Sequence, residues 1–499
     1  MTTTTSDTGR RPTHELAEPR LLIDGRLTES SDEQVFANIN PATEESLGLT
    51  FDATADDIDR AITAARRAFD ETSWATDHAF RKHCILQLQQ ALERNRELLR
   101  SVLVAEVGAP VSTTHHMQLE TPLGDDLLWP AQAIDTFPWE RDLEDNDFFG
   151  ARSWRKVYKE PIGVVGAIVP WNFPLQTTLN KLGMALATGN TVVLKPAALT
   201  PWNATHLGRL IAEETDIPAG VVNIVPTSDN ELAQRIVDDP RVGMISFTGS
   251  TATGRLIQER VAPMTKRLLL ELGGKSAHIV LEDADLEQAL AASAFQACLH
   301  GGQGCALQTR VLLPRSRYEE GLALIENAFR AVAYGDPTDP VTIQGPQISA
   351  QQRDRVEEYI RIGQQEGARL VLGGGRPAHL PRGYYVEPTL FADVTPGMRI
   401  AQEEIFGPVL AVLPYDDQED AVRIANDSPY GLSGAVSSTS SERALAVARR
   451  LRTGAVSING GVSHGADAPY GGYKASGLGR QSGPEGFEAH LETKAVAGP

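Results

Sequence analysis

An α/β fold built on mostly parallel sheets is predicted by three features of the sequence. Apolar, β-branched runs recur at Val164–Val169, Thr191–Leu194, Val221–Val225, Met244–Phe247 and Leu268–Leu270. Helical patterns alternate with them at Leu175–Ala187, Trp202–Glu214, Asn230–Val237 and Gly254–Val261. A second alternating block follows from Thr309 to Asn459. Strands separated by helices make βαβ units, and such units pair their strands in parallel.

The opening stretch MTTTTSDTGRRPTHEL carries Thr and charge but no apolar core, so no secretory signal is expected there. A disordered tail of about a dozen residues is expected instead. Thr54 and Asp57 have capping-box spacing, and Ile58, Ala61, Ile62, Ala65 and Phe69 follow at helical intervals. A longer amphipathic stretch, roughly Phe80 to Val107, reads as packing helices. Between Phe137 and Glu160 the helical period disappears and alternation takes over, which predicts an exposed two-stranded ribbon. A ribbon standing outside a core needs its edges covered, often by another subunit. Within the first alternating block, Pro201 marks a helix start and Gly189-Asn190 a helix end.

In the second block the expected strands are Arg310–Leu313, Ala368–Leu372, Pro408–Leu413 and Val456–Ile458. The expected helices are Tyr318–Ala333, Ala350–Glu366 and Ser441–Arg450, and a further helix, Leu286–Leu299, precedes the block. Gly373-Gly374-Gly375 and Pro381-Arg382-Gly383 predict a surface loop between them, and Thr493–Val496 a terminal strand.

The chain of 499 residues is long enough for two or three domains. With 46 Lys+Arg against 65 Asp+Glu, its charge of −19 argues against a nucleic-acid footprint or a polybasic membrane surface. Three cysteines, Cys84, Cys298 and Cys305, do not make a disulfide framework, which points to a reducing compartment. No apolar run approaches the roughly 18–20 residues that span a bilayer, and a cytoplasmic location is expected. No CxxC or Cys/His metal spacing occurs, so no metal site is expected.

Four places carry candidate chemistry. Cys305 ends Gly301-Gly302-Gln303-Gly304-Cys305, an accessible glycine-rich setting for a nucleophile, although most lone cysteines are small buried hydrophobes. Cys84 and Cys298, inside helical patterns, take that second role. Glu271 follows a strand, where ligands collect in open α/β sheets and partial burial would raise a carboxyl toward base duty; a salt-bridge role is equally consistent. Asn172, in Pro170-Trp171-Asn172-Phe173-Pro174, is an oxyanion donor, or else an Asx-turn residue or a helix cap. Gly249-Ser250-Thr251-Ala252-Thr253-Gly254 opens a helix after a strand, so free N–H groups there can face phosphate, though it fits neither the Walker pattern nor GxGxxG.

Taken together, PWNFP, LKP, FTGS, ELGGK, the glycine-flanked Cys305 and EEIFGPV stand in the order and spacing of the aldehyde dehydrogenase superfamily. Glu271 and Cys305 lie 34 positions apart, as the base and nucleophile of that family do. The resemblance extends from Asp70 and Trp74 to PYGGYKASGLGR (Pro469 to Arg480) and the final TKAV.

The resemblance implies a Rossmann-like cofactor domain (1–136 and 161–271), a second α/β catalytic domain (272–475) and a β-ribbon oligomerisation element (137–160 and 485–499). It implies oxidation of an aldehyde to the acid through a cysteine thiohemiacetal and thioester. Cys305 would be the nucleophile, Asn172 with the Cys305 N–H the oxyanion site, Glu271 the base for hydrolysis, and Lys181 a support for the proton chemistry. Lys195 and Glu404 would contact the two ribose units of the cofactor, Gly249, Ser250 and Gly254 the pyrophosphate, and Trp171 and Phe406 the cofactor cleft. Ala198 replaces a glutamate that favours NAD in many members, and Pro226-Thr227-Ser228 replaces a glycine, so NAD is expected with NADP as the alternative. A homodimer or homotetramer is implied. A CoA-acylating semialdehyde dehydrogenase generally lacks the glutamate base, and a catalytically silent NAD-binding or structural protein would not need Asn172, Glu271 and Cys305 together. Along the substrate tunnel, Asn172, Phe173, Thr177, Asn180 and Lys181 would face the aldehyde, with His464 on the far wall and Leu299 before the nucleophile. These side chains lose flat apolar surface relative to small-aldehyde members, so a medium-sized or oxygen-bearing aldehyde is expected and betaine aldehyde is not.

Overall fold

A computed structural model describes residues 15–148 and 150–499, so the expected N-terminal tail lies outside the described residues. Two large sheets organise the chain. The first has eight strands in the spatial order Gly477–Leu478, Arg267–Glu271, Val242–Thr248, Val164–Ile168, Thr191–Lys195, Val222–Ile224, Leu21–Ile23, Arg26–Thr28. Its five central strands are parallel and the outer ones antiparallel. From Val164–Ile168 the chain builds outward through Thr191–Lys195 and Val222–Ile224, then returns to lay Val242–Thr248 on the other side. The strand order therefore reverses between Val164–Ile168 and Val242–Thr248, and in open α/β sheets a crevice forms at the carboxyl ends of such a pair.

The central strands read as unbroken apolar runs because both faces are covered. Val165, Ala167, Val192 and Leu194 join the core on one face, while Val164 and Val193 join that on the other. Each such buried aliphatic side chain contributes ~1.5–3 kcal/mol. Trp202 and Trp74 are likewise fully buried, the latter donating its indole N–H to Asn190 O at 2.9 Å.

The second sheet has seven strands in the order Arg369–Leu372, Thr389–Ala392, Val409–Tyr415, Gln308–Pro314, Ser276–Val280, Gly434–Ser437, Ser457–Ile458, all parallel except the first pair. Its two faces are packed in the same alternating manner, Leu312 on one side and Val311 and Leu313 on the other. The expected ribbon is present as Glu140–Phe148 and Ala151–Pro161, and the terminal strand Leu491–Gly498 adds to it antiparallel, giving a three-stranded sheet.

The structure adds elements to those expected and bears out others. The described chain opens with two hairpins, Leu21–Ile23 with Arg26–Thr28 and Val35–Ile39 with Ser46–Phe51, before the first helix. The capping box at Thr54 is real: its hydroxyl accepts from Asp57 N and the Asp57 carboxylate accepts from Thr54 N. The stretch Phe80–Val107 falls into successive helical pieces, as expected. It breaks at Asn95, between His78–Arg94 and Arg96–Val102, and ends in a π-turn, Leu103–Val107. Buried Glu106 explains that turn, since it accepts bonds from Trp202 N, Asn203 N and Asn38 Nδ2.

Candidate active site

The crevice at the strand-order reversal is a cavity of about 470 Å³, bordered by Trp171 and Asn172 after one strand and Gly249 to Ala252 after the other. Glu271, Cys305, Glu404 and Phe406 complete its walls.

Glu271 is the last residue of Arg267–Glu271 and is pinned on both sides, opposite Thr248 in the parallel ladder and Gly477 in the antiparallel one. It is fully buried rather than partly buried as expected, and both carboxylate oxygens lack a hydrogen-bond partner among the described residues. Burial pushes its carboxyl up to about 8, against the opposing charges of Lys181 and Arg480. Gly471 leaves room for it, because a Cβ there would stand 2.9 Å from Glu271 Oε1. Lys181, also buried, donates to Ser246 Oγ at 3.1 Å and Gln481 Oε1 at 3.0 Å, and burial pulls its ammonium down to about 7.

Asn172 is not the helix cap. Phe173 occupies that position without a side-chain bond and Pro174 starts the helix Pro174–Ala187. The Asn172 amide instead donates one hydrogen to Gln303 O at 2.9 Å, two residues before the nucleophile. An amide nitrogen carries two hydrogens, which leaves the second for a ligand.

Cys305 sits on a loop that leaves Leu286–Cys298 through three consecutive left-handed residues, His300 (φ 51°), Gly301 (φ 68°) and Gly302 (φ 71°). This setting is held rather than mobile. Gln303 Nε2 donates to His300 O and Pro346 O, and its Oε1 accepts from Ile348 N at 2.9 Å. The thiol is half-buried, and its sulfur lies 3.5 Å from the Tyr470 hydroxyl. Burial pushes the thiol up to about 12, with the Tyr470 hydrogen bond acting in the opposite sense and the Glu271 and Glu404 charges in the same sense.

The remaining expected residues take distinct places. Ser250 caps Thr251–Val261 by accepting from Thr253 N at 3.2 Å, leaving the first backbone N–H groups of that helix toward the cavity. Gly254 belongs to the same helix and packs against Leu272, behind the cavity wall. Glu404 Oε1 accepts from Gly274 N at 2.9 Å, and Trp171 and Phe406 meet edge to face with ring centres 5.4 Å apart. Phe406 is left-handed at φ 62°. Its loop is tied down by Gln352, whose amide donates to Phe406 O at 2.8 Å, and Arg355, which donates to Glu404 O at 2.7 Å. Lys195 ends Thr191–Lys195 and is buried; burial pulls it down to about 8 against the charges of Asp52 and Asp229.

Of the side chains expected along a substrate tunnel, Asn172 borders the cavity, whereas Phe173, Thr177, Asn180, Lys181, Leu299 and His464 are not among its lining residues. The Thr177 hydroxyl donates to Phe173 O at 2.8 Å within its own helix. Asn180 donates to Ser482 Oγ at 2.8 Å, although its buried Oδ1 has no hydrogen-bond partner among the described residues. His464 meets Tyr470 edge to face at 5.2 Å, and its Nε2 lies 3.2 Å from Gln176 Nε2.

Sequence reasoning missed Gln303, Gln352, Arg355 and Tyr470. Gln352 and Arg355 are three apart on the helix Ala350–Gln365, a spacing that puts them on one face without saying what the face meets. Tyr470 lies in the recognised PYGGYKASGLGR run, but nothing local links it to a cysteine 165 positions away.

The donor set fits a dinucleotide: free N–H groups at a helix start for the pyrophosphate, a carboxylate for ribose hydroxyls and aromatic walls. Comparison with known proteins agrees. Residues 27–496 match the model of the aldehyde dehydrogenase family. The chain is 42% identical over 478 residues to 3-succinoylsemialdehyde-pyridine dehydrogenase from Pseudomonas sp., covering 95% of this chain and 98% of that one. It is 41% identical to geranial dehydrogenase from Castellaniella defragrans, covering 92% and 94%. Among solved structures, Mycobacterium tuberculosis aldehyde dehydrogenase complexed with NAD+ superposes with a TM-score of 0.92 at 44% identity, covering 96% and 98%. A mutant of Pseudomonas syringae aldehyde dehydrogenase C complexed with NAD+ and octanal superposes with a TM-score of 0.91 at 37% identity, covering 98% of each chain.

Proposed function

The chain belongs to the aldehyde dehydrogenase family, and on that premise we propose that it oxidises an aldehyde to its carboxylic acid with NAD, using Cys305, Asn172 and Glu271. The observation that carries this reading is the convergence of those three side chains on one cavity at the strand-order reversal.

In this reading Cys305 Sγ forms a bond to the aldehyde carbon and the carbonyl oxygen becomes an oxyanion. The free Asn172 hydrogen donates to that oxygen, a contact worth about 3–4 kcal/mol per donor in other oxyanion sites. NAD supplies the hydride acceptor when bound. Loss of hydride from the substrate carbon leaves a thioester on Cys305. Glu271, whose raised pKa suits it to exchange protons near neutrality, takes a proton from water as the water attacks, and the acid departs with Cys305 released. Lys181 sits behind this exchange, opposing the cost of charge on Glu271.

Two features support NAD over NADP. The glutamate that would repel a 2′-phosphate is absent at Ala198, but Asp52 and Asp229 bring negative charge to bear on Lys195. The described structural relatives above are complexed with NAD+. For the substrate, Asn180 Oδ1 and the His464–Gln176 pair favour a medium-sized or oxygen-bearing aldehyde. The names of the two enzymes given above likewise specify aldehydes larger than acetaldehyde. For the assembly, the three-stranded sheet has two open edges, Glu140–Phe148 and Leu491–Gly498, which supports a homodimer or a dimer of dimers.

The test is kcat/KM for acetaldehyde, hexanal, benzaldehyde and a hydroxylated aldehyde, each with NAD and with NADP and without CoA. Aldehyde-dependent NADH production is expected, with acetaldehyde the poorest substrate. A strict requirement for CoA would overturn hydrolysis, and acetaldehyde ranking first would overturn the substrate class. Light scattering of the same protein should give a dimer or tetramer; a monomer at micromolar concentration would contradict the assembly.

A further inference from the structure

We propose that the Tyr470 hydroxyl is a catalytic group, donating a hydrogen bond to Cys305 Sγ and holding the sulfur in its thiolate form for attack. The inference deepens the reading above and rests on Cys305 being the nucleophile. Its basis is geometric: the Tyr470 oxygen is 3.5 Å from Cys305 Sγ.

Reactive cysteines are ordinarily ionised by a neighbouring cation, a histidine or a helix N-terminus. Here the charged groups that act on the sulfur are Glu271, from the strand end, and Glu404, from the loop opposite, and both oppose a thiolate. Lys181 and Arg480 face Glu271. Tyr470 is the hydroxyl that bonds the sulfur. An ionised sulfur has no proton, so in that state the phenol is necessarily the donor. Burial and the neighbouring anions hold the phenol itself well above its ordinary pKa, so it keeps the hydrogen it donates.

The phenol is also held in place. Its ring meets His464 edge to face at 5.2 Å, and its backbone oxygen accepts from Gln481 N at 2.7 Å. The next residue, Gly471, is the one that leaves space for the Glu271 carboxylate. One dipeptide thus touches the nucleophile with its first residue and accommodates the base with its second.

The experiment is the pH dependence of Cys305 alkylation by iodoacetamide in the full chain with NAD present, with Cys305→Ala as the blank. Tyr470→Phe should raise the midpoint by about one unit and slow alkylation at pH 7.5 about tenfold, the size of one charge-assisted hydrogen bond. The burst rate of NADH formation should fall in parallel, because attack on the aldehyde draws on the same thiolate. 3-Fluorotyrosine at position 470, a stronger donor of nearly the same shape, should move the midpoint down, which a purely structural role would not do. An unchanged midpoint in Tyr470→Phe, or in the fluorotyrosine protein should Tyr470→Phe fail to fold, overturns the proposal. Alkylation reads the sulfur whether or not an aldehyde is oxidised, so loss of the functional reading and loss of this one are separately visible.

Discussion

Glu271 and Cys305 border the same cavity but are built into the molecule by opposite means. Glu271 is the end of a strand, fixed by ladders on both sides, with a carboxylate that has no hydrogen-bond partner among the described residues. Cys305 is on a loop with no ladder, and its position depends on side-chain bonds from Gln303 and Asn172 and on three left-handed residues before it. The strand gives the base a rigid backbone and an unsolvated carboxyl, which is how an acid acquires a pKa useful for water activation. The loop lets the nucleophile's carbonyl neighbours and sulfur be tuned by residues from several parts of the chain. A base benefits from isolation, and a nucleophile with an oxyanion site benefits from many contacts.

The largest expected effect is at the nucleophile. Cys305→Ala should lower aldehyde-dependent turnover by about 10³-fold or more while NAD binding, followed by protein fluorescence, is retained. At the base the failure should be of another kind. Glu271→Gln should allow one burst of NADH and then stall at the thioester, with steady turnover down about 10²–10³-fold. Because Glu271 works deprotonated and its pKa is raised to about 8, wild-type thioester hydrolysis should climb with pH through that value. The same limb should vanish in Glu271→Gln, and full steady turnover in that variant would refute the assignment.

A smaller effect separates the two means of construction themselves. Gly302 has φ 71°, and a Cβ there would fall 2.2 Å from the Gly407 carbonyl, where the nucleophile loop meets the Glu404–Gly407 loop. Gly302→Ala should cost of order 1–3 kcal/mol, read as a lower Tm, and should impair the burst more than thioester hydrolysis. Equal impairment of both steps would mean that the loop and the strand end are not independent.

Much of this was legible before the fold was known. The five central strands of the first sheet and their helices followed from apolar runs that alternate with helical spacing, since burial on both faces leaves that mark. The ribbon and the terminal strand were legible too, but not that they form one sheet. The strands Ser276–Val280, Thr389–Ala392 and Gly434–Ser437 escaped notice, as did the opening hairpins. Ser276–Val280 mixes Ser, Ala and His with its two apolar β-branched residues and Gly434–Ser437 is built largely of small residues, so pairing partners more than composition make them strands.

By itself the sequence determined the α/β class, the order of the motifs and the residue types at Asn172, Glu271 and Cys305, because these depend on short-range spacing and side-chain chemistry. Only the tertiary structure decided that Glu271 is buried and unpartnered, that Asn172 reaches Gln303 instead of capping its helix, and that Tyr470 bonds the sulfur of Cys305. The physical reason is common to all three. Desolvation and hydrogen bonding are set by which distant segments close around a group, and that closure is a property of the packed sheets rather than of any local run of residues.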